Sequence, residues 1–302
     1  MALRDFVTII RELSLDQIRG DALLAPRLLV IAADAGHARD VASALFGVID
    51  PYVDTCAGDC RDVDPLAYDV IVSVGPLPNH LARTWNDLFR RANEELRLVE
   101  VPADRVLDPA AIDTLRRRIV ERAGDRVLSL GRHIPLLKSV AAERVIGETS
   151  TVNGQFALVS NVPAVIPVVG NLVAAGADLV VLTKNQLLMV FKLAAIYDRD
   201  LHDRSRIFGE MIPVVGAGFA WRTIARELAA LLPLAAGTVP KVAIAYAGTW
   251  AMGRAARVYY ERGERLSPNQ FRALYADALG RLRRQPITAP RRGGVDETDA
   301  AD

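Results

Sequence analysis

Cysteine is scarce in this sequence, which has two in 302 residues. Cys56 and Cys60 are separated by three residues, and no histidine lies close to them in the sequence. A zinc site commonly needs four ligands in closely spaced pairs, so these two residues cannot assemble one locally. We expect a structural or incidental role for the pair, and such low cysteine usage suits a reducing compartment.

A surplus of charge of one sign is also missing. The chain has 37 Lys and Arg residues against 36 Asp and Glu residues, which gives a net charge of +1. Recognition of a phosphate backbone needs a strong basic surplus on one face. The composition therefore argues against a nucleic-acid partner.

The glycine-rich loop of nucleotide-binding proteins is missing as well. In the pattern GxxxxGK[ST], glycine amides wrap the phosphates, the lysine reaches the terminal ones and the hydroxyl holds magnesium. After the first predicted strand the chain reads AADAGHARDVASALFG, where His37, Ala38 and Arg39 stand in the Gly-Lys-Ser positions. We predict that this turn does not bind phosphate. The alternative is a noncanonical ligand site formed by Asp34, His37 and Arg39.

No catalytic grouping of residues stands out. The four histidines are spread over separate predicted elements, and no serine lies in a GxSxG elbow. The segment YDRDLHDRSR at residues 197–206 has the acidic residues of a metal loop, but its interleaved arginines neutralise the carboxylates. We predict that the protein is not an enzyme and has no catalytic residue, no metal ligand and no cofactor.

What the sequence does contain begins with an alternation of strands and helices. Short β-branched apolar runs are typical of a parallel sheet that is buried on both faces. Strands are predicted at residues 28–33, 69–75 and 96–102, and helices at 37–47, 81–96 and 108–124. The last helix has Asp108 as its predicted N-cap, Pro109 at its first position and Gly124 as its stop. Residues 51–65 could hold an extra edge strand. This alternation predicts a small α/β domain.

After Gly131 the pattern indicates helix throughout. Residues 162–183 are almost entirely apolar and long enough to span a bilayer, and residues 228–253 form a weaker apolar region with Pro233 and Pro240. Small residues in these regions would permit close helix packing, including self-association. They are Gly170, Gly176, Gly248 and Gly253.

A ribbon of polar residues interrupts the first apolar region. In a helix over residues 168–198, Asp178, Asn185, Lys192 and Arg199 recur every seven residues and fall on nearly the same face. A charge left unpaired at a bilayer centre costs roughly 2.5–3.5 kcal/mol, so this polar seam must face protein, a wet groove or the interface. A seam that faces protein or water would also account for the polar sequence TKNQ at residues 183–186 within an apolar stretch.

The helical part resembles a known family. The segments NVPAVIPVVGNL, ADLVVLTKNQLLMVFKLAAIYD and VPKVAIAYAGTWAMGRAARVYYERGE resemble the YcjF-like domain of unknown function, which follows Era-like GTPase domains in bacterial proteins. The resemblance covers about residues 132–279. It implies an α-helical, membrane-associated module whose biochemical activity is not established.

The first half is similar in layout to a shortened GTPase domain, with ASALFG where the P-loop helix would lie. It departs from that pattern at the P-loop, has no convincing DxxG motif, and has PAD where NKxD would stand. The resemblance therefore implies a degenerate P-loop GTPase-like fold, and we expect no GTP hydrolysis.

These observations predict a fold class of α/β plus all-α, a small parallel-sheet domain followed by a hydrophobic helical bundle. The expected segments are an amphipathic helix at residues 1–26, the GTPase-like domain at 27–130, the YcjF-like domain at 131–283 and a disordered tail at 284–302.

The preferred functional hypothesis is a non-enzymatic scaffolding or regulatory protein of the inner membrane, with its first domain in the cytoplasm and the membrane as its partner. Two crossings, or a re-entrant hairpin turning near Pro163 and Pro167, would keep that domain on one side. One alternative is a soluble helical-bundle interaction module, and another is a nucleotide-dependent switch.

Overall fold

A computed structural model of the chain describes residues 15–47, 51–102, 108–159, 170–203, 206–207, 209 and 238–287, with the backbone alone at 170–179 and 238–241. The first domain contains strands β1 (Leu28–Ala32), β2 (Val53–Ala57), β3 (Val70–Val74) and β4 (Leu98–Val101). Its helices are α2 (Ala35–Phe46), α3 (Asn79–Ala92) and α4 (Pro109–Arg122), and they are preceded by α1 (Asp16–Leu23), which packs mainly on the helices that follow the sheet domain.

The four strands form one parallel sheet in the order β2-β1-β3-β4. The predicted small parallel sheet is therefore confirmed, and the extra strand in residues 51–65 is the edge strand β2. The central strands β1 and β3 are apolar because helices cover both faces of the sheet. Leu29, Ile31 and Ile71 face α3, whereas Leu28, Val30 and Val72 face the core shared with α2 and α4.

The start of α4 follows its predicted signals. Asp108 is the N-cap, and its Oδ1 accepts a hydrogen bond of 2.7 Å from the backbone N–H of Ala111. Pro109 occupies the first turn, where a missing N–H costs nothing. The helix ends at Arg122, two residues before Gly124, whose φ of 59° is left-handed.

The helical module consists of α5 (Val127–His133), α6 (Pro135–Val159), α7 (Gly170–Ile196), α8 (Thr238–Arg262) and α9 (Pro268–Arg284). Contacts fix the directions of its long helices. Asn153 of α6 meets Asn185 of α7, whereas Gly253 of α8 lies against both Ile146 and Met189. The helix α6 therefore runs antiparallel to α7 and α8, and α9 runs antiparallel to α8.

The module is continuous with one face of the sheet. A single apolar cluster extends from Leu28 and Val72 of the sheet through Ile146 of α6 to Trp250 of α8. At the junction, Arg144 of α6 donates a hydrogen bond to the carbonyl of Val120 in α4. The sheet domain and the start of α6 are thus packed together.

Several predicted features lie outside the described residues. These are residues 1–14 of the expected amphipathic helix, residues 288–302 of the tail, and residues 162–169 and 228–237 of the two apolar regions. Within the part that the structure describes, no helix is both long enough and apolar enough to be a candidate membrane span.

Candidate functional site

The turn after β1 contains Asp34, whose carboxylate caps the helix that follows. Asp34 is the N-cap of α2, and its Oδ1 accepts a hydrogen bond of 2.8 Å from the backbone N–H of His37. The side chain of Arg39 turns back to donate to the carbonyl of Ala35. Asp34 and Arg39 are thus both engaged with the backbone of this turn. An anion at this helix start would also meet the negative charge of Asp34.

The two cysteines lie at the end of β2 and form a disulfide with a Cα–Cα distance of 6.0 Å. Cys60 packs against Leu77 and Leu81 below α3. Beside it, Asp59 contacts His80 at 2.8 Å and Arg61 at 2.6 Å. The pair thus has a structural role. No group of three or more His, Cys, Asp or Glu side chains among the described residues is arranged to hold a metal ion.

A groove of about 430 Å³ lies beside the edge strand β4. Arg118 of α4 crosses the strand edge and donates a hydrogen bond of 3.2 Å to the carbonyl of Glu100. The lining residues are Pro76, Leu77, Ala82, Asn86, Leu96, Leu98, Glu100, Arg118 and Arg122. None of these side chains is a nucleophile next to a general base, so the groove has no catalytic pair.

The polar step in α7 reaches a buried layer of amide and hydroxyl groups. Asn185 Nδ2 donates to Asn153 Oδ1 at 2.8 Å, and Asn153 Nδ2 donates to Thr249 Oγ1 at 2.8 Å. Gln186 Nε2 donates to the same hydroxyl at 3.1 Å, and Thr249 itself donates to the carbonyl of Ala245. We call Asn153, Asn185, Gln186 and Thr249 the amide layer. Asn153 and Thr249 are fully buried, and each has hydrogen-bond partners, as buried polar groups require.

The predicted polar seam is placed only in part. Asn185 belongs to the amide layer, and Lys192 is half-buried in α7. Arg199 follows the end of α7 and lies over the ring of Tyr260 at 5.6 Å. The side chain of Asp178 lies outside the described residues. The seam as a whole stays a prediction.

One of the predicted packing glycines makes a close contact between helices. A Cβ on Gly253 would lie 2.8 Å from Ile146 Cγ1 and 3.0 Å from Met189 Sδ, so only glycine fits between α8 and its neighbours. Gly248 is buried in the same helix. The surroundings of Gly170 and Gly176 lie outside the described residues. Self-association through these glycines stays a prediction.

A charge network joins α6, α8 and the end of α7 close to the sheet domain. Arg254 and Arg257 both contact Glu143, and Arg257 Nε lies 2.8 Å from Glu261. Tyr197 Oη donates to Glu261 at 2.5 Å. We call these five residues the charge network. Burial and the hydrogen bond to Glu261 raise the pKa of Tyr197. Burial alone would disfavour charged Glu261, but hydrogen bonds from Tyr197 and Arg257 hold its pKa below the ordinary value.

The end of the module that lies away from the sheet is apolar. Val159 is 15 residues beyond Arg144, which contacts the sheet domain, and at 1.5 Å per residue it is therefore about 22 Å farther along α6. Three of the eight exposed large hydrophobic residues described lie beyond the level at which Asn153 meets Asn185. They are Val159, Val180 and Val181, which are 37–52% exposed, and we call them the apolar end.

The helix α7 extends beyond this end. Because Asn153 pairs with Asn185 in an antiparallel neighbour, Val159 lies opposite about residue 179. The first residues of α7 therefore project about 13 Å past the end of α6. The sequence that joins the two helices, residues 160–169, is SNVPAVIPVV, which is also apolar.

Sequence analysis identified Asn185 and the glycines but missed Asn153, Thr249 and the charge network. A signal for Asn153 existed, because it is an asparagine in a long helical stretch. Its partners lie 32 and 96 residues away, however, and no local pattern identifies them. Comparison of the chain with protein-family models, curated proteins and solved structures gives no match.

Proposed function

We propose that this chain is a non-enzymatic, membrane-associated scaffold in which the apolar end of the helical module contacts the bilayer. Its first domain, a GTPase-like domain without phosphate-binding machinery, would face the cytoplasm of the inner membrane. The observation that carries the proposal is the clustering of exposed valines at one end of the module. Contiguous exposed apolar surface of this kind marks a membrane or protein contact.

The distance by which α7 projects beyond α6 limits how deeply the module could enter a bilayer. A projection of about 13 Å is well short of the roughly 30 Å hydrocarbon core of a bilayer. The antiparallel helices α6 and α7, joined through Pro163 and Pro167, support the re-entrant hairpin hypothesis.

The state of the first domain supports a scaffolding role. Asp34 caps α2 where a GTPase holds phosphate, and Arg118 covers an outer carbonyl of the edge strand. The charge network is internally paired, which is typical of a structural cluster that joins helices. These features favour a domain that positions or regulates other components over one that turns over a substrate.

Fractionation tests the proposal. We expect the full-length protein to sediment with membranes when a detergent-free lysate is ultracentrifuged, and to be released by detergent. The double variant Val159→Asp/Val181→Asp should shift to the supernatant, because aspartate opposes burial in the interface. The matched control is Leu23→Asp/Leu66→Asp, which alters an exposed leucine of α1 and one of the first domain.

Circular dichroism should show unchanged helix content in both variants. If the unaltered protein stays in the supernatant, the membrane proposal is wrong. The soluble helical-bundle interaction module is then the better hypothesis. If the valine variant sediments as the unaltered protein does, the apolar end is not the contact.

A further inference from the structure

Three basic side chains lie at about one level of the module, just below its apolar end. Lys184 directly precedes Asn185, which bonds to Asn153 of α6. Arg283 and Arg284 lie in the last turn of α9, between Arg281, which stacks on Trp250, and Ile287, which packs on Gly154. We call Lys184, Arg283 and Arg284 the basic collar. All three residues are exposed.

The collar residues differ from the nearby Arg281 in their contacts. Arg281 forms an ion pair of 2.9 Å with Asp277 and covers the ring of Trp250 at 4.8 Å. By contrast, none of the collar side chains has an ion pair or hydrogen bond with any residue that the structure describes. Among the residues that the structure describes, no carboxylate neutralises these three exposed charges.

The position of the collar matches the depth of lipid headgroups. Val181 is four residues from Asn185 along α7 and Val159 is six residues beyond Asn153 along α6, so the apolar end lies about 6–9 Å past the level of the collar. This separation falls within the roughly 5–10 Å by which interfacial helices enter the boundary between headgroups and acyl chains. With the valines at that depth, the collar cations would lie among the phosphates.

We propose that the basic collar binds the headgroups of anionic phospholipids, so that the protein selects negatively charged membrane over neutral membrane. This inference rests on the proposed function, because it assumes that the apolar end meets the bilayer. A basic residue near an anionic surface strengthens binding about fivefold. Three such residues acting together would give roughly a hundredfold preference at low salt.

Vesicle flotation with the full-length protein tests the inference. The probes are vesicles of phosphatidylcholine alone and vesicles of phosphatidylcholine mixed with phosphatidylglycerol. We expect detectable binding to the first and much tighter binding to the second, with the difference falling as salt rises. The variant Lys184→Gln/Arg283→Gln/Arg284→Gln should lose at least tenfold in affinity for the anionic vesicles and little for the neutral ones.

The control variant removes the same number of charges from the first domain. Arg83, Arg91 and Arg117 are exposed on α3 and α4, and Arg83→Gln/Arg91→Gln/Arg117→Gln should bind both vesicle types within about twofold of the unaltered protein. Equal loss in the two triple variants would show that net charge matters and would overturn the collar.

The two proposals fail differently. If the unaltered protein binds both vesicle types equally, membrane association stands and anionic selection is wrong. If it binds neither, the proposed function itself is wrong. If the collar variant binds anionic vesicles as tightly as the unaltered protein, the headgroup contact lies elsewhere and this inference is rejected.

Discussion

Asn185 donates a hydrogen bond of 2.8 Å from its side-chain amide to the side-chain oxygen of Asn153, across the interface of two antiparallel helices. This contact is why a polar step is accommodated in one of the most apolar parts of the chain. Shifting either helix by one residue would separate the two amides and leave Asn153 buried without this partner. The pair therefore fixes the register of α6 against α7.

Replacing Asn153 with alanine should destabilise the protein by about 1–3 kcal/mol, because Asn185 and Thr249 lose a buried partner. Urea unfolding measures the effect, and a double-mutant cycle with Asn185→Ala should give a coupling of about 1 kcal/mol. The control is Thr151→Val, whose hydroxyl bonds only within its own helix and should matter by about 0.5 kcal/mol or less. A coupling near zero would contradict the contact.

Gly253→Ala should destabilise the fold by about 1–3 kcal/mol, because the added Cβ would overlap Ile146 and Met189. Gly280→Ala provides a control of opposite sign. A Cβ there would meet only Arg284 at an ordinary 3.7 Å, so removing a glycine from the interior of α9 should stabilise by about 0.5–1 kcal/mol. Thermal unfolding of both variants distinguishes close packing from helix propensity. Stabilisation by both substitutions would rule out the tight contact.

Glu261 should make stability fall in acid. Its pKa in the folded state lies below the ordinary 4.5, so ionised Glu261 stabilises the fold above pH 4.5, and this is lost as the pH falls through the folded value. Because the group is partly exposed, we expect Glu261→Gln to cost about 0.5–1 kcal/mol at pH 7 and less in acid. Urea unfolding at both pH values, with Glu264→Gln as control, measures the difference. The same loss at every pH would mean that the charge of Glu261 is not involved.

Guanine nucleotide should not bind. Titrating the purified protein with a fluorescent GTP analogue and magnesium should give no saturable signal, because Asp34 occupies the start of α2. A functional GTPase measured in parallel shows that the assay works. Saturable binding at micromolar concentration would favour the nucleotide-dependent switch instead.

Reduction of the disulfide should lower stability only modestly. The bond between Cys56 and Cys60 closes a short loop, for which chain entropy predicts about 2 kcal/mol. Unfolding with and without dithiothreitol measures this, and Cys56→Ser/Cys60→Ser should be unaffected by the reductant. Disulfides are rare in a reducing cytoplasm, so thiol labelling in intact cells also tests where the first domain resides. A disulfide in freshly quenched cells would argue against the cytoplasmic location.

Local patterns predicted much of the first domain. β-branched runs gave the strands, and Asp108 with Pro109 marked the start of α4, because both signals act within a few residues. The same reasoning predicts that the turn at Gly36 does not bind phosphate, and this stays a prediction. It placed helix ends less well, since α7 ends at Ile196 while the periodicity continues to Arg199.

The sequence by itself determined a parallel sheet followed by helices, an apolar second half, and the presence of polar residues within it. These features depend on side-chain period and backbone propensity, which act over one or two turns. Only the tertiary structure decided that Asn185 meets Asn153, that Gly253 lies against two helices, and that Lys184 of α7 and Arg283 of α9 lie at about the same level of the module. Such contacts join residues that are far apart in sequence. They depend on how whole helices pack, and no local period encodes that packing.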